Sequence, residues 1–224
     1  MAKHKQRREF TYRENLKHGR HGWGRLTPAY SVRVVQDVLD QHPDVQTVLD
    51  PFSGTGTTGL VAAERGKAAV LTDINPFLLW LAQTKTATYD EATCQTAKEV
   101  AQQCVAVAHN LANNQPYWVP PIHNVNRWWP PDTLNTLSRL FHALKHAQLS
   151  DTNAENLLLI AFCRVMIQWS NAAFNHQSMS FKDGAQQSMF DTGDEIQRTF
   201  LDAVDQITNA AQQPVLGAVT VKHC

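Results

Sequence analysis

The sequence predicts an α/β fold built on parallel strands with a large helical insertion, and three observations predict it. Two short apolar runs rich in β-branched residues each end at an acidic residue and lead into a helical segment. A glycine turn, Gly54-Thr55-Gly56, separates the first run from its helix. Between Gly66 and Gly184 there is no glycine, and helical spacing prevails there.

In chain order, residues 1–25 form a basic N-terminal arm. Eight basic side chains, Arg7, Arg8, Lys17 and Arg20 among them, stand against Glu9 and Glu14, although the whole chain has a formal net charge of zero. Such an arm is the electrostatic footprint of a phosphate-binding protein, or else a solvated tail. Ser31 then caps a helix whose Val32, Val35, Val38 and Leu39 share one face, ending near His42-Pro43. Residues 45–49 make the first strand, 57–65 a small-residue helix stopped by Gly66, 68–72 the second strand, and 77–86 a further helix. Residues 26–90 are thus a β-α-β-α unit with parallel strands.

Residues 91–212 read as the helical insertion, interrupted by proline-rich stretches at 115–121 and 129–131. Thr152-x-x-Glu155 is a capping box for a helix that is apolar around most of its circumference and so is expected to be buried; Arg164 on it needs an anionic partner. A polar stretch at 170–182 follows, then an amphipathic helix over 194–209 with acidic residues on its solvated side. Residues 213–224 supply a third strand, Ala218-Val219-Thr220-Val221.

The 224 residues, 43% hydrophobic, suffice for a sizeable core. The longest apolar run, residues 157–163, falls far short of the roughly 20 residues of a membrane span. The N-terminus is charged rather than signal-like, and the four cysteines form no C-x-x-C pair. These features exclude a membrane or disulfide-framework reading and predict a cytoplasmic protein with reduced thiols.

The glycine turn carries the chemistry. Gly54-Thr55-Gly56-Thr57-Thr58-Gly59 satisfies G-x-G-x-x-G, a pattern shared by many nucleotide folds. In a dehydrogenase the first glycine follows the strand directly, so that pyrophosphate meets the helix N-terminus. Here Asp50-Pro51-Phe52-Ser53 intervenes and puts a carboxylate at the strand end, where a diphosphate is repelled. A cationic ligand suits that position, and S-adenosyl-L-methionine carries both an ammonium and a sulfonium. Asp73, at the end of the second strand, is placed to accept hydrogen bonds from a ribose diol, with Ile74 and Phe77 flanking an adenine.

The string Val48-Leu49-Asp50-Pro51-Phe52-Ser53-Gly54-Thr55-Gly56-Thr57-Thr58-Gly59 resembles the cofactor motif of the DNA amino-methyltransferases of restriction-modification systems, which methylate adenine N6 or cytosine N4. Asp73-Ile74-Asn75-Pro76 looks like that family's second cofactor motif, and Thr27-Pro28-Ala29-Tyr30-Ser31 like the segment that closes over the methionine end. The resemblance implies the N-terminal portion of a Rossmann-like methyltransferase fold. It implies S-adenosyl-L-methionine bound by Tyr30, Ser31, Asp50, Pro51, Phe52, Gly54, Gly56, Thr57, Asp73, Ile74 and Asn75, and a double-stranded DNA substrate. Cytosine N4 is the favoured target, through a looser likeness around Asn126-Arg127-Trp128-Trp129 and residues 174–182.

Transfer to an exocyclic amine needs a loop that accepts hydrogen bonds from the NH2 group and stacks a ring on the flipped base; the family uses Asp, Asn or Ser, then Pro-Pro and an aromatic residue. Val119-Pro120-Pro121-Ile122 and Trp129-Pro130-Pro131-Asp132 lack both the polar residue before and the aromatic after. The catalytic residues are therefore unassigned. The expectation is a cofactor-binding part with three of seven strands, its first strand an unpaired edge prone to aggregation, completed by a second polypeptide. The alternative is an inactive remnant that binds cofactor or DNA without methylating. For DNA contact the candidates are Arg7, Arg8, Lys17, Arg20, His176 and Lys182, the last two serving loop capping equally well. Trp128 and Trp129 either stack on a base or anchor a helix to the core. No metal site is expected.

Overall fold

β1 (Thr47–Asp50) and β2 (Ala68–Asp73) pair in parallel with Asp50 opposite Leu71, as a computed structural model of the chain describes it for residues 10–24, 29–112, 115–173, 180–181 and 192–224. The link between them is α3 (Thr57–Glu64), an αβ crossover of the kind parallel strands require. The last strand of the chain, β5 (Val219–His223), pairs in parallel with the other side of β2, Asp73 opposite His223. The strand order is β1-β2-β5, so β1 is an edge among the described residues, and its Leu49 is 66% exposed.

One face of this sheet is covered by α2 (Val32–Gln41) and α3. Val32, Val35 and Leu39 pack with Val61, Ala62 and Ala69, and Val48 and Val219 close the cluster. Ser31 caps α2 by accepting from the Arg33 N–H at 3.1 Å. Val38, expected on the packed face, is instead half-exposed. α4 (Pro76–Thr86) follows β2 and packs against β5. Its N-cap is Asn75, whose Oδ1 accepts from Phe77 and Leu78.

The chain divides into two compact units, residues 1–90 with 209–224, and residues 91–208. The second is built from α5 (Glu91–Asn110), α6 (Val125–Trp128), α7 (Pro131–His146), α8 (Thr152–Gln168) and most of α9 (Thr192–Ala211). α5 packs on α7 and α8, and Leu157, Leu158, Ile160 and Val165 of α8 are fully buried, as its apolar circumference predicts. Three details differ from the sequence reading. The cap of α8 is Asp151, which accepts from Asn153 and Ala154, rather than Thr152 one residue on. Arg164 bonds the neutral Gln206 Oε1 at 3.1 Å, and no acid partners it among the described residues. The polar stretch contains a short antiparallel pair, β3 (Ala172–Ala173) with β4 (Ser180–Phe181).

Trp129 is buried and donates its indole N–H to the Met166 carbonyl at 2.9 Å, which fits the anchoring reading. Trp128 meets Phe181 edge to face, and the Arg127 guanidinium lies 4.1 Å from the Phe181 ring centroid. No described helix is long and apolar enough to cross a membrane.

The N-terminal arm also departs from expectation. Residues 12–15 form a short helix, α1 (Tyr12–Asn15), and a 3-10 turn spans Gly19–Trp23; Asn15, Arg20, His21 and Trp23 are buried. A run of basic residues reads as solvated because charge seldom survives burial, yet Arg20 finds enough carbonyl oxygens to do so.

Candidate cofactor site at the strand ends

The loop from β1 to α3 is held by main-chain and carboxylate hydrogen bonds. Ser53 N–H donates to the Thr72 carbonyl at 2.9 Å and Gly56 N–H to the Ser53 carbonyl at 2.8 Å. Gly54 (φ 50°) and Gly56 (φ 75°) both occupy the left-handed region. Gly56 is the N-cap of α3, and a Cβ there would lie 2.9 Å from the Ala82 Cβ and 3.0 Å from its Cα on α4. Glycine at 56 is thus demanded twice, by backbone conformation and by the close approach of α4.

The two strand-end carboxylates face this loop. Asp73 accepts from Gly54 N–H at 3.0 Å and from Asn75 N–H at 2.9 Å, one oxygen each. Asp50 accepts from Phe52 N–H at 3.1 Å and from the Tyr30 hydroxyl at 3.0 Å. The Tyr30 hydroxyl also contacts Thr58 Oγ1. Partial burial, reinforced by the Asp50 charge against the opposing hydrogen bond from Thr58, pushes the Tyr30 phenol up to about 12. It therefore stays a neutral donor.

Around the carboxylates stand exposed apolar side chains: Phe52 at 85%, Ile74 at 74% and Phe77 at 51%. Apolar side chains left in water beside carboxylate acceptors form a surface suited to a flat heterocycle carrying hydroxyls and positive charge. Ser53 Oγ, buried within the loop, has no hydrogen-bond partner among the described residues. These residues fit an S-adenosylmethionine-type ligand.

Of the residues expected here, Tyr30, Asp50, Pro51, Phe52, Gly54, Asp73 and Ile74 gather at the strand ends. Others have structural duties. The Thr57 side chain is buried, 3.4 Å from Thr55 Oγ1, and belongs to the loop packing rather than to a ligand surface. Ser31 and Asn75 are helix caps, their side-chain oxygens committed to backbone N–H groups. Thr27, Pro28, Arg7, Arg8, His176 and Lys182 lie outside the described residues. Lys17 is exposed but paired with Glu14 at 2.9 Å. Arg20, expected to meet DNA, is 2% exposed, with its guanidinium on backbone carbonyls of Lys85, Ala87, Ala210, Ala211 and Gln213; it is not available to a phosphate.

Two residues were not singled out from the sequence. Asn15, 4% exposed, donates to the Tyr30 carbonyl at 3.0 Å and accepts from Val32 N–H at 2.7 Å, which sets Tyr30 over Asp50. Lys85 is fully buried beneath the glycine loop, with Nζ donating to the Thr55 carbonyl at 2.8 Å. The spacing of Leu78, Leu81, Ala82 and Lys85 along one face of α4 was the available signal for it.

A parallel α/β unit with a glycine turn and two strand-end acids belongs to the class of open α/β folds, in which the carboxyl ends of the strands are the usual place for a ligand crevice. More particularly, residues 31–120 match the family described as D12 class N6 adenine-specific DNA methyltransferase. The resemblance of the glycine-turn segment to DNA amino-methyltransferases holds on this match, which falls on the adenine N6 class and lends no support to cytosine N4. No match was found among curated proteins or among solved structures.

Proposed function

We propose that the chain is the S-adenosylmethionine-binding part of a site-specific DNA methyltransferase acting on adenine N6, with a Rossmann-like methyltransferase fold. One observation carries the reading: the Asp-Pro-Phe-Ser-Gly-Thr-Gly-Thr-Thr segment, within the matched stretch, folds as a strand, a left-handed glycine turn and a helix with Asp50 and Asp73 at its mouth. In this reading Asp73 takes the ribose hydroxyls, Ile74 and Phe77 flank the adenine, and Tyr30 covers the methionine end. The cofactor supplies the electrophilic methyl group; the chain's part is to bind and orient it.

The base-binding loop is proposed to come from a further segment or chain whose strands extend the sheet at β1, an edge among the described residues, where Leu49 is exposed. The residues present include no polar-Pro-Pro-aromatic sequence, and that observation favours the second reading, a remnant that binds cofactor or DNA and methylates neither base. Calorimetry is expected to show S-adenosylmethionine binding that Asp50→Ala weakens by more than tenfold, roughly 1.4 kcal/mol or more. Incubating the chain with labelled cofactor, DNA and the complementing segment should yield N6-methyladenine. Label in N4-methylcytosine would refute the adenine assignment, and cofactor binding without product would leave the remnant.

DNA is the proposed partner, reached through residues 1–9, which carry Lys3, Lys5, Arg7 and Arg8 against Glu9. Deleting these nine residues, while keeping the folded segment with Asn15 and Arg20, is expected to flatten the log–log salt dependence of DNA binding by about three. An unaltered slope in a fluorescence-anisotropy titration would show that these charges do not touch DNA.

A further inference from the structure

Lys85 is the largest fully buried side chain of the described residues, and it is charged in every unfolded form of the chain near neutral pH. Burying an ammonium costs several kilocalories unless oxygens replace its water, so its position calls for a reason. Nζ donates to the Thr55 carbonyl at 2.8 Å and to the His21 carbonyl at 3.4 Å. Thr55 is the middle residue of the glycine turn. One turn earlier on α4, Ala82 is the residue that would meet a Cβ at Gly56. The loop therefore rests on α4 at two points, one of van der Waals contact and one of charge.

We propose that Lys85 is a positioning residue of the cofactor site, whose ammonium draws the Thr55 carbonyl inward and so holds the turn at residues 54–56 in the conformation that receives S-adenosylmethionine. The inference deepens the reading above and rests on it. An ammonium holds a carbonyl more strongly than a neutral amine does, so the turn is best ordered when Lys85 is protonated. Burial pulls its pKa down from 10.5 to about 7, opposed by the charge of Glu64 on α3. The other charged and titratable groups on the segments around it have their own commitments. His21, on the 3-10 turn, has its pKa lowered chiefly by burial while Glu64 raises it through a 3.3 Å contact. Arg20 on the same turn takes the Lys85 carbonyl, and Asp73 at the end of β2 holds Gly54.

The sign of the stability effect follows. Below about pH 7 Lys85 is charged whether the chain is folded or not, and the full burial cost is present. Between 7 and the ordinary 10.5 only the unfolded chain keeps the proton, so stability rises with pH in that window. Lys85→Met removes the cost and is expected to raise the melting temperature at pH 7 while weakening the cofactor, a trade between stability and function that a purely structural lysine would not show.

The test is calorimetric titration of the full chain with S-adenosylmethionine from pH 6 to 9, for wild type, Lys85→Met and Lys85→Gln, with thermal melts alongside. Wild-type affinity should fall about tenfold between pH 6 and 8 in excess of any change in Lys85→Met, in which titration of the cofactor's own amine is equally present. Lys85→Met should bind more than tenfold more weakly than wild type at pH 6 and melt higher at pH 7. Lys85→Gln, a neutral donor, should lie between them in affinity with no excess slope. Equal affinities at pH 6, or equal slopes in wild type and both variants, would overturn the proposal. Should Lys85→Met not fold, the Gln variant and the wild-type slope decide in the same way. No cofactor binding by wild type at any pH would reject the cofactor reading itself, and this inference with it.

Discussion

Arg20→Ala is expected to destabilise the chain by about 3–5 kcal/mol, a large share of the whole stability of a typical domain. The guanidinium reaches Lys85 O at 3.2 Å, Ala87 O at 2.5 Å, Ala210 O at 3.3 Å and Gln213 O at 2.8 Å, and it also contacts Ala211 O. These oxygens lie at or just beyond the C-terminal ends of α4 and α9, where carbonyls lack helical partners and the helix dipole is negative. One side chain thus satisfies two helix ends at once and fastens the N-terminal segment to both. Trp23 and Tyr89 lie beside it, their ring centroids 5.8 and 5.2 Å from the guanidinium carbon. Removing it strands several buried acceptors, each costing on the order of 1 kcal/mol or more. Arg20→Lys should recover less than half, because a single ammonium has three donors and no fork. Urea unfolding monitored by tryptophan fluorescence checks both variants. A loss under 1 kcal/mol for Arg20→Ala would show that water replaces the guanidinium at those carbonyls.

Arg20 also marks where sequence reasoning stops. The stretch from α2 through α4 was legible because each of its signals is local: Ser31 as a cap, β-branched residues before Asp50, glycines at the turn where φ is positive. β5 was legible from its short β-branched run, Val219-Thr220-Val221. Arg20 reads as part of an exposed basic arm, a DNA contact or a solvated tail, because its acceptors lie 65 to 193 residues further along, and no local pattern announces that two helix ends will converge on it. Lys85 presents the same difficulty. A cation in the last turn of a helix ordinarily faces water and complements the dipole, whereas this one is buried and reaches the Thr55 carbonyl of the glycine loop and the His21 carbonyl of the 3-10 turn. Thr152 was preferred over Asp151 as a cap because adjacent residues with capping side chains differ in sequence only by which one the backbone turns on. β3 and β4 pair through two residues each, too few to produce any period.

On the proposed reading Asp73 carries the second large effect, acting on the loop as well as on the ligand. Its carboxylate accepts from Gly54 N–H and from Asn75 N–H, so it joins the glycine turn to the N-terminus of α4 and still has acceptor capacity left. Asp73→Asn keeps the shape but offers one acceptor oxygen, leaving an NH2 group opposed to one of the two N–H donors. It is therefore expected to weaken S-adenosylmethionine nearly as much as Asp73→Ala, by more than tenfold, and to cost about 1–3 kcal/mol in urea unfolding. A double-mutant cycle separates the two roles. Wild type should prefer the ribose cofactor over its 2′-deoxy,3′-deoxy analogue by more than tenfold, and Asp73→Ala should lose that preference along with its affinity. If Asp73→Ala binds more weakly yet keeps the full preference, the carboxylate only holds the loop and another group reads the ribose. If Asp73→Asn binds as wild type does, neither the two-acceptor bridge nor the negative charge matters, and the strand-end geometry alone receives the cofactor.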